Sequence, residues 1–119
     1  MLQQSETSES LFSFNTIKKG VMKASEILRI TQKPQCTSYF CDGEGAYCAQ
    51  GAIMNHFGWN EDGDMFTTCH GTSYWKKMMN LLNNDETIRR EIAVRNNGMF
   101  GCSRQTFSQI ADWLESKGL

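Results

Sequence analysis

Four of the chain's five cysteines and both histidines fall between Pro34 and Trp75, a stretch without a single lysine or arginine. Five carboxylates share it: Asp42, Glu44, Glu61, Asp62 and Asp64. Soft thiolate and imidazole ligands beside hard carboxylate oxygens, with no cation to neutralise them, have the composition of a metal site. Cys36, Cys41, Cys69 and His70 are the candidate zinc ligands. Their spacing does not make the tight knuckle in which structural zinc sites usually pair their cysteines. The expectation is therefore no cofactor, with zinc as the alternative and the thiols otherwise buried or incidental.

A second chemistry open to these residues is thiol catalysis. Cys48 stands near the start of a predicted helix, where the N-terminal field lowers a thiol pKa and favours the thiolate. His56 lies about two helical turns further on and cannot reach it, which leaves His70 as the base. The segment 60–64 lacks calcium-loop spacing, and no glycine-rich turn has the pattern of a nucleotide loop. Nothing in these residues assembles a complete catalytic set. The expectation leans away from an enzyme, with a zinc-binding or cysteine-dependent activity as the third reading.

The elements that must position these residues are helical. The 119-residue chain is 39% hydrophobic and 21% charged, values typical of one globular domain. Its net charge of −1 gives no broad basic footprint for nucleic acid or acidic membranes. Residues 1–14 read as a flexible polar tail and residues 15–119 as a single helical domain. The start of the chain carries neither a basic region nor an apolar signal core, and no run is long enough to span a bilayer. A cytoplasmic, thiol-reducing setting is the expectation, and an odd number of cysteines fits it.

From Asn15, apolar residues Ile17, Val21, Ala24, Ile27 and Leu28 recur at helical steps, and Lys33-Pro34 ends the run. A second helix, about Ala46 to Phe57, is rich in small residues (Ala46, Cys48, Ala49, Gly51, Ala52). Small side chains permit close approach, which predicts a central position. A third helix starts near Ser73 with a stripe of Tyr74, Trp75, Met78, Leu81 and Leu82. Asn83-Asn84-Asp85 breaks and re-caps the chain, and a fourth helix carries Ile88, Ile92 and Ala93 to a stop at Asn96-Asn97-Gly98. The fifth opens with a Thr106/Gln109 capping box, buries Phe107, Ile110, Ala111 and Leu114, and closes at Gly118. The fold class is mainly α, a compact bundle of four to five short helices. One short β pair, Ser38-Tyr39-Phe40 with Met65-Phe66-Thr67-Thr68, is the only strand pairing the pattern allows.

The last two helices also suggest DNA reading. Residues 86–117 resemble a helix-turn-helix in which Arg104, Gln105 and Ser108 open a recognition helix and face base edges. Arg89, Arg90 and Arg95 would meet phosphates. The connection is about four residues longer than the usual turn, with Gly98-Met99-Phe100-Gly101-Cys102 inserted.

Tyr47-Cys48-Ala49-Gln50-Gly51-Ala52-Ile53 resembles the Cys-Ala-x-Gly-Ala helix of small uncharacterised bacterial and phage proteins. Thr106-Phe107-Ser108-Gln109-Ile110-Ala111-Asp112 is similar to the Ser/Thr-Phe-x-x-Ile-Ala-Asp helix that ends them. The resemblance covers about half the chain and departs from the pattern at Asn97, where those proteins tend to carry aspartate. It implies a compact helical domain of unassigned function, in which Cys48 and Gly51 pack helices. No reaction and no catalytic residue carry across.

The leading functional expectation is a non-enzymatic module that binds a macromolecular partner, a protein before a nucleic acid, encoded by a phage or mobile element. Aromatic and acidic residues crowd the middle of the chain: Tyr39, Trp59 and Phe66 with Asp42, Glu44, Asp62 and Asp64. Together they would form an acidic–aromatic contact surface. The competing reading places the aromatics in the core.

Overall fold

The computed structural model describes residues 22–37, 40–60 and 72–119. Among them are five helices: α1 (Ala24–Ile30), α2 (Ala49–His56), α3 (Ser73–Leu81), α4 (Glu86–Asn97) and α5 (Phe107–Ser116). The molecule is mainly helical, as its periodicities predict. The 1–14 tail and the expected helix start at Asn15 lie outside the described residues. Within them, Lys23 is extended (φ −74°, ψ 157°), so α1 begins at Ala24 rather than continuing an upstream run. The Lys23 N–H donates to Glu26 Oε1 at 2.7 Å, which satisfies one donor at the helix entrance.

α2 occupies the centre, packing against α1, α3 and α4. Ala49 through Met54 are all buried, so no face of its first six residues is left to solvent. Gly51 shows why small residues are needed. A Cβ built there would stand 2.0 Å from the Phe40 carbonyl oxygen, so the preceding loop lies directly on the helix. Phe40 is itself left-handed, with φ 66°, and its oxygen accepts the Cys48 N–H at 3.0 Å.

α1 rests mainly on α5, and α4 packs on α2 and α5. Asp85 caps α4 by accepting from the N–H groups of Thr87 and Ile88, after Asn83 and Asn84 turn the chain with positive φ. α4 stops at Gly98 (φ 69°), where an added Cβ would press 3.0 Å from the Arg104 nitrogen. The α5 capping box forms as its sequence predicts: Gln109 N–H donates to Thr106 Oγ1 at 3.1 Å, and Thr106 N–H to Gln109 Oε1 at 2.9 Å. A Schellman closure ends α5, with Leu119 N–H donating to Leu114 O and Gly118 N–H to Glu115 O, both at 2.9 Å.

The core gathers Ile27, Leu28, Ile53, Met54, Met78, Leu82, Ile92, Ile110 and Leu114 with Tyr47 and Trp59. The segments 38–39 and 65–68 of the expected β pair lie outside the described residues. What is seen is a patch around Tyr47, bridged in parallel to Gln35 and antiparallel to Cys41. Tyr47 N–H donates to Pro34 O and Cys36 N–H to Tyr47 O on one side. Cys48 N–H to Phe40 O and Asp42 N–H to Ala46 O frame it on the other. These few bonds deliver the chain into α2 at a fixed angle.

Candidate functional site

The entrance to α2 is the most heavily organised polar region among the described residues. The first N–H groups of a helix have no partner inside it. For α2 the partner comes from elsewhere: Asn96, at the end of α4 and 1% exposed, accepts the Ala49 N–H through Oδ1 at 3.0 Å. Its Nδ2 donates to the Cys36 carbonyl at 2.9 Å and to Asn97 Oδ1 at 2.8 Å. A backbone donor on one side and a backbone acceptor on the other allow only this amide orientation. Where a parallel ladder would have joined Cys36 O to Ala49 N, the Asn96 amide stands between them.

Gln35 extends the node. Its Nε2 donates to Asn96 Oδ1 at 2.8 Å and to Gln105 O at 2.7 Å, while Oε1 accepts the Phe107 N–H at 3.0 Å. Two side chains thus supply caps in trans to α2 and α5 and tie both to the segment 34–37. Asn96 lies four residues beyond Ile92 and eight beyond Ile88, on the apolar stripe of α4. A polar residue at a core position was the available signal, and the reading of Asn96-Asn97-Gly98 as a simple stop passes over it.

Beside this node a cleft of about 110 Å³ opens between α2 and α4. Phe40, Ile92 and Ala93 give it an apolar floor, and Cys48, Gln50 and Arg89 line its walls. Arg89 is fixed from several directions. It pairs with Glu86, donates from Nη1 to Gln50 Oε1 at 3.2 Å, and lies 5.2 Å from the Trp75 ring centroid. The hydrogen bond from Arg89 holds the Glu86 carboxyl below its ordinary range. Burial pushes the Cys48 thiol up, against the opposing influence of backbone N–H groups at the helix entrance. At neutral pH Cys48 is a protonated, packed thiol. The helix-start activation expected for it is outweighed by loss of water.

Each residue singled out by the sequence has a definite place. Cys36 is half-buried and Cys41 buried. Cys41 and Gln35 both bridge to Tyr47, Cys41 antiparallel and Gln35 parallel. Among the described residues no three histidines, cysteines or carboxylates gather as a metal-holding group. Cys69 and His70 lie outside the described residues, as do Tyr39, Asp62, Asp64 and Phe66 of the expected contact surface. Asp42 and Glu44 are exposed in a turn where Asp42 Oδ1 accepts the N–H groups of Glu44 at 2.7 Å and Ala46 at 3.1 Å.

Trp59 corrects the contact-surface expectation: it is 1% exposed, edge-on to Phe40 at 6.2 Å and to Tyr47 at 5.7 Å. An indole buried in this way packs the core and offers no face to a partner.

The residues of the DNA reading divide in two. Arg89 and Arg95 are engaged within the fold; Arg95 lies 4.4 Å from the Trp113 centroid, with its Nε 3.0 Å from Glu91 Oε2. Gln105 is half-buried, its carbonyl bound to Gln35 and its N–H donating to Arg95 O at 2.8 Å. Arg90, Arg104 and Ser108 are exposed, and Arg90 approaches Glu86 at 3.5 Å. No described helix is long and apolar enough to cross a membrane. No family model, curated protein or solved structure matches the chain.

Proposed function

We propose that the protein is a macromolecular interaction module that presents the α4–α5 loop to a protein partner. Phe100 carries this reading. It is 87% exposed and held at φ 54°, with the half-exposed Met99 beside it. A left-handed backbone at a bulky residue is costly, about 1–3 kcal/mol, and such strain concentrates where a side chain is displayed for use. The loop around it is tied down: Cys102 N–H donates to Met99 O at 3.0 Å and Met99 N–H to Val94 O at 3.2 Å. A pre-ordered aromatic anchor loses little entropy on docking. This site replaces the acidic–aromatic surface, whose Trp59 lies in the core.

The test compares wild-type protein with Phe100→Ser as immobilised bait. An exposed position should leave the melting temperature within about 2 °C of wild type. Partners recovered by wild type and lost by the variant support the reading. Identical recovery by both would refute it.

A further inference from the structure

We propose that Asn97 is a site of spontaneous deamidation, gated by the last turn of α4, whose products release the Phe100 loop from its helix. Asn97-Gly98 is the one Asn-Gly pair in the chain. A glycine carries no side chain to shield its backbone nitrogen, so that nitrogen can reach the amide carbon of the asparagine before it. The fold cannot discard this pairing. Gly98 ends α4 at φ 69°, and an added Cβ would stand 3.0 Å from the Arg104 nitrogen, so a side chain is excluded on two counts. The Asn97 amide is in use as well. Its Oδ1 accepts from Asn96 Nδ2 at 2.8 Å, and its Nδ2 donates to Met99 Sδ at 3.9 Å.

In the reaction the Gly98 nitrogen loses its proton and bonds to Asn97 Cγ, the Cγ–Nδ2 bond breaks, and the amide nitrogen departs as ammonia. Water then opens the cyclic imide at either carbonyl, leaving aspartate or isoaspartate. The folded chain resists the first step. The Gly98 N–H donates to Val94 O at 2.9 Å, which holds the proton that must leave. Asn97 is the last residue of α4, and ring closure needs its ψ to leave the helical range. A local opening of that turn, short of global unfolding, frees the nitrogen. The same turn carries Asn96, whose amide caps α2, so the polar node also restrains the chemistry. Isoaspartate inserts an extra carbon into the main chain at the helix stop. It thereby displaces the N–H groups of Gly98 and Met99 from the Val94 oxygen they share. Aspartate puts a negative charge at a helix C-terminus, where the field disfavours it, and removes the donor to Met99. Both products weaken the ties that order the loop beneath Phe100. The modification does not rest on that loop docking a partner.

The test holds the full chain in mildly alkaline buffer, folded or in concentrated urea, and follows every asparagine by peptide mass mapping. In urea Asn97 should convert first. In the folded protein it should still lead, but about tenfold more slowly. Asn96→Ser should raise the folded rate about threefold or more and leave the urea rate unchanged. Gln35→Ala, which loosens the same node from its other side, should do likewise if Asn96→Ser does not fold. Asp85→Ala destabilises α4 at its far end and should leave the folded rate unchanged. Hydrogen exchange on the deamidated fraction, isolated by ion exchange, should show lost protection at Gly98 and Met99 with the α5 interior still protected. Four results would overturn the proposal: another asparagine converting ahead of Asn97, a folded rate equal to that in urea or no folded conversion at all, acceleration by Asp85→Ala as large as by the node variants, or intact protection at Gly98 and Met99 after deamidation.

Discussion

Replacing Gly51 by alanine should destabilise this protein, against the usual direction of the substitution inside a helix. Helix propensity alone favours alanine by about 1 kcal/mol. Here the new methyl would stand 2.0 Å from the Phe40 oxygen, and the obstacle is backbone, not a flexible side-chain end. To restore an ordinary contact the carbonyl must retreat by about 1 Å or more, since contacts below 3.0 Å are essentially absent from real structures. That retreat breaks the 3.0 Å bond from the Cys48 N–H and leaves a buried donor unpaired, a cost of about 1–3 kcal/mol. It also disturbs the edge contacts of Phe40 with Trp59 and Trp75, each contributing about 0.5–1.5 kcal/mol. Subtracting the propensity gain leaves a net loss of about 2 kcal/mol, or a fall in melting temperature of roughly 6–10 °C for a domain of this size. Thermal and urea unfolding would both read it. Asn80→Ala, on the exposed side of α3, isolates the propensity term and should be neutral or slightly stabilising. A Gly51→Ala variant as stable as wild type would refute the claim that the Phe40 loop is seated on α2.

Asn96→Leu keeps the volume but strips partners from the Ala49 N–H and the Cys36 carbonyl, and urea unfolding should show a loss of about 2–5 kcal/mol. Cys48 should react with iodoacetamide at pH 7.5 more slowly than the half-buried Cys36 and Cys102, because burial raises its pKa and hides it; site-resolved mass spectrometry showing Cys48 as the fastest would contradict this. Glu86 has a folded-state pKa below its unfolded value, so its stabilising contribution is present above the ordinary carboxylate range and disappears as pH falls through the lowered value. Glu86→Gln should therefore melt below wild type at pH 7, and the gap should close in acid; a gap that widens in acid would reverse the sign of the argument. Thr106→Ala removes the acceptor for the Gln109 N–H and should cost about 1 kcal/mol by urea unfolding.

The helices were legible because their signals are local. The Thr106/Gln109 box, Asp85 after two asparagines, and Gly98 and Gly118 at helix ends each act within a turn or two of chain, and each forms as its sequence indicates. The central seat of α2 followed from its small residues, for the same steric reason that Gly51 now shows. The polar node was not legible. Gln35 and Asn96 are 61 positions apart, and nothing local to either marks the other as its partner. Trp59 shows a related limit. Its neighbours Gly58 and Asn60 look like loop, yet the loop folds inward and places the indole beside Tyr47 and Phe40. The arginines of the apparent helix-turn-helix have the right types at the right spacing. Their engagement by Glu86, Glu91, Gln50 and Trp113 depends on packing that composition does not report.

The trans caps bear on how the fold holds together. An eight-residue helix has little stability alone in water, and α2 contains a glycine and an asparagine that weaken it further. Its entrance is completed only when Asn96 arrives from α4 and when the segment 34–36 lies against Tyr47. α5 is better specified locally, yet its first N–H also waits for Gln35. Formation of α2 is thus coupled to α4 through an amide that cannot be satisfied piecemeal, because each missing neighbour leaves another buried group unpaired. The cleft inherits that coupling. Gln50 and Arg89 meet across the same α2–α4 contact that Asn96 secures, so loosening the node should open the cleft before it unfolds the helices. Native-state hydrogen exchange on Asn96→Ser would show this as faster exchange at Ala49 and Phe107 with the α5 interior still protected. Uniform loss of protection would mean that the node and the bundle open as one unit.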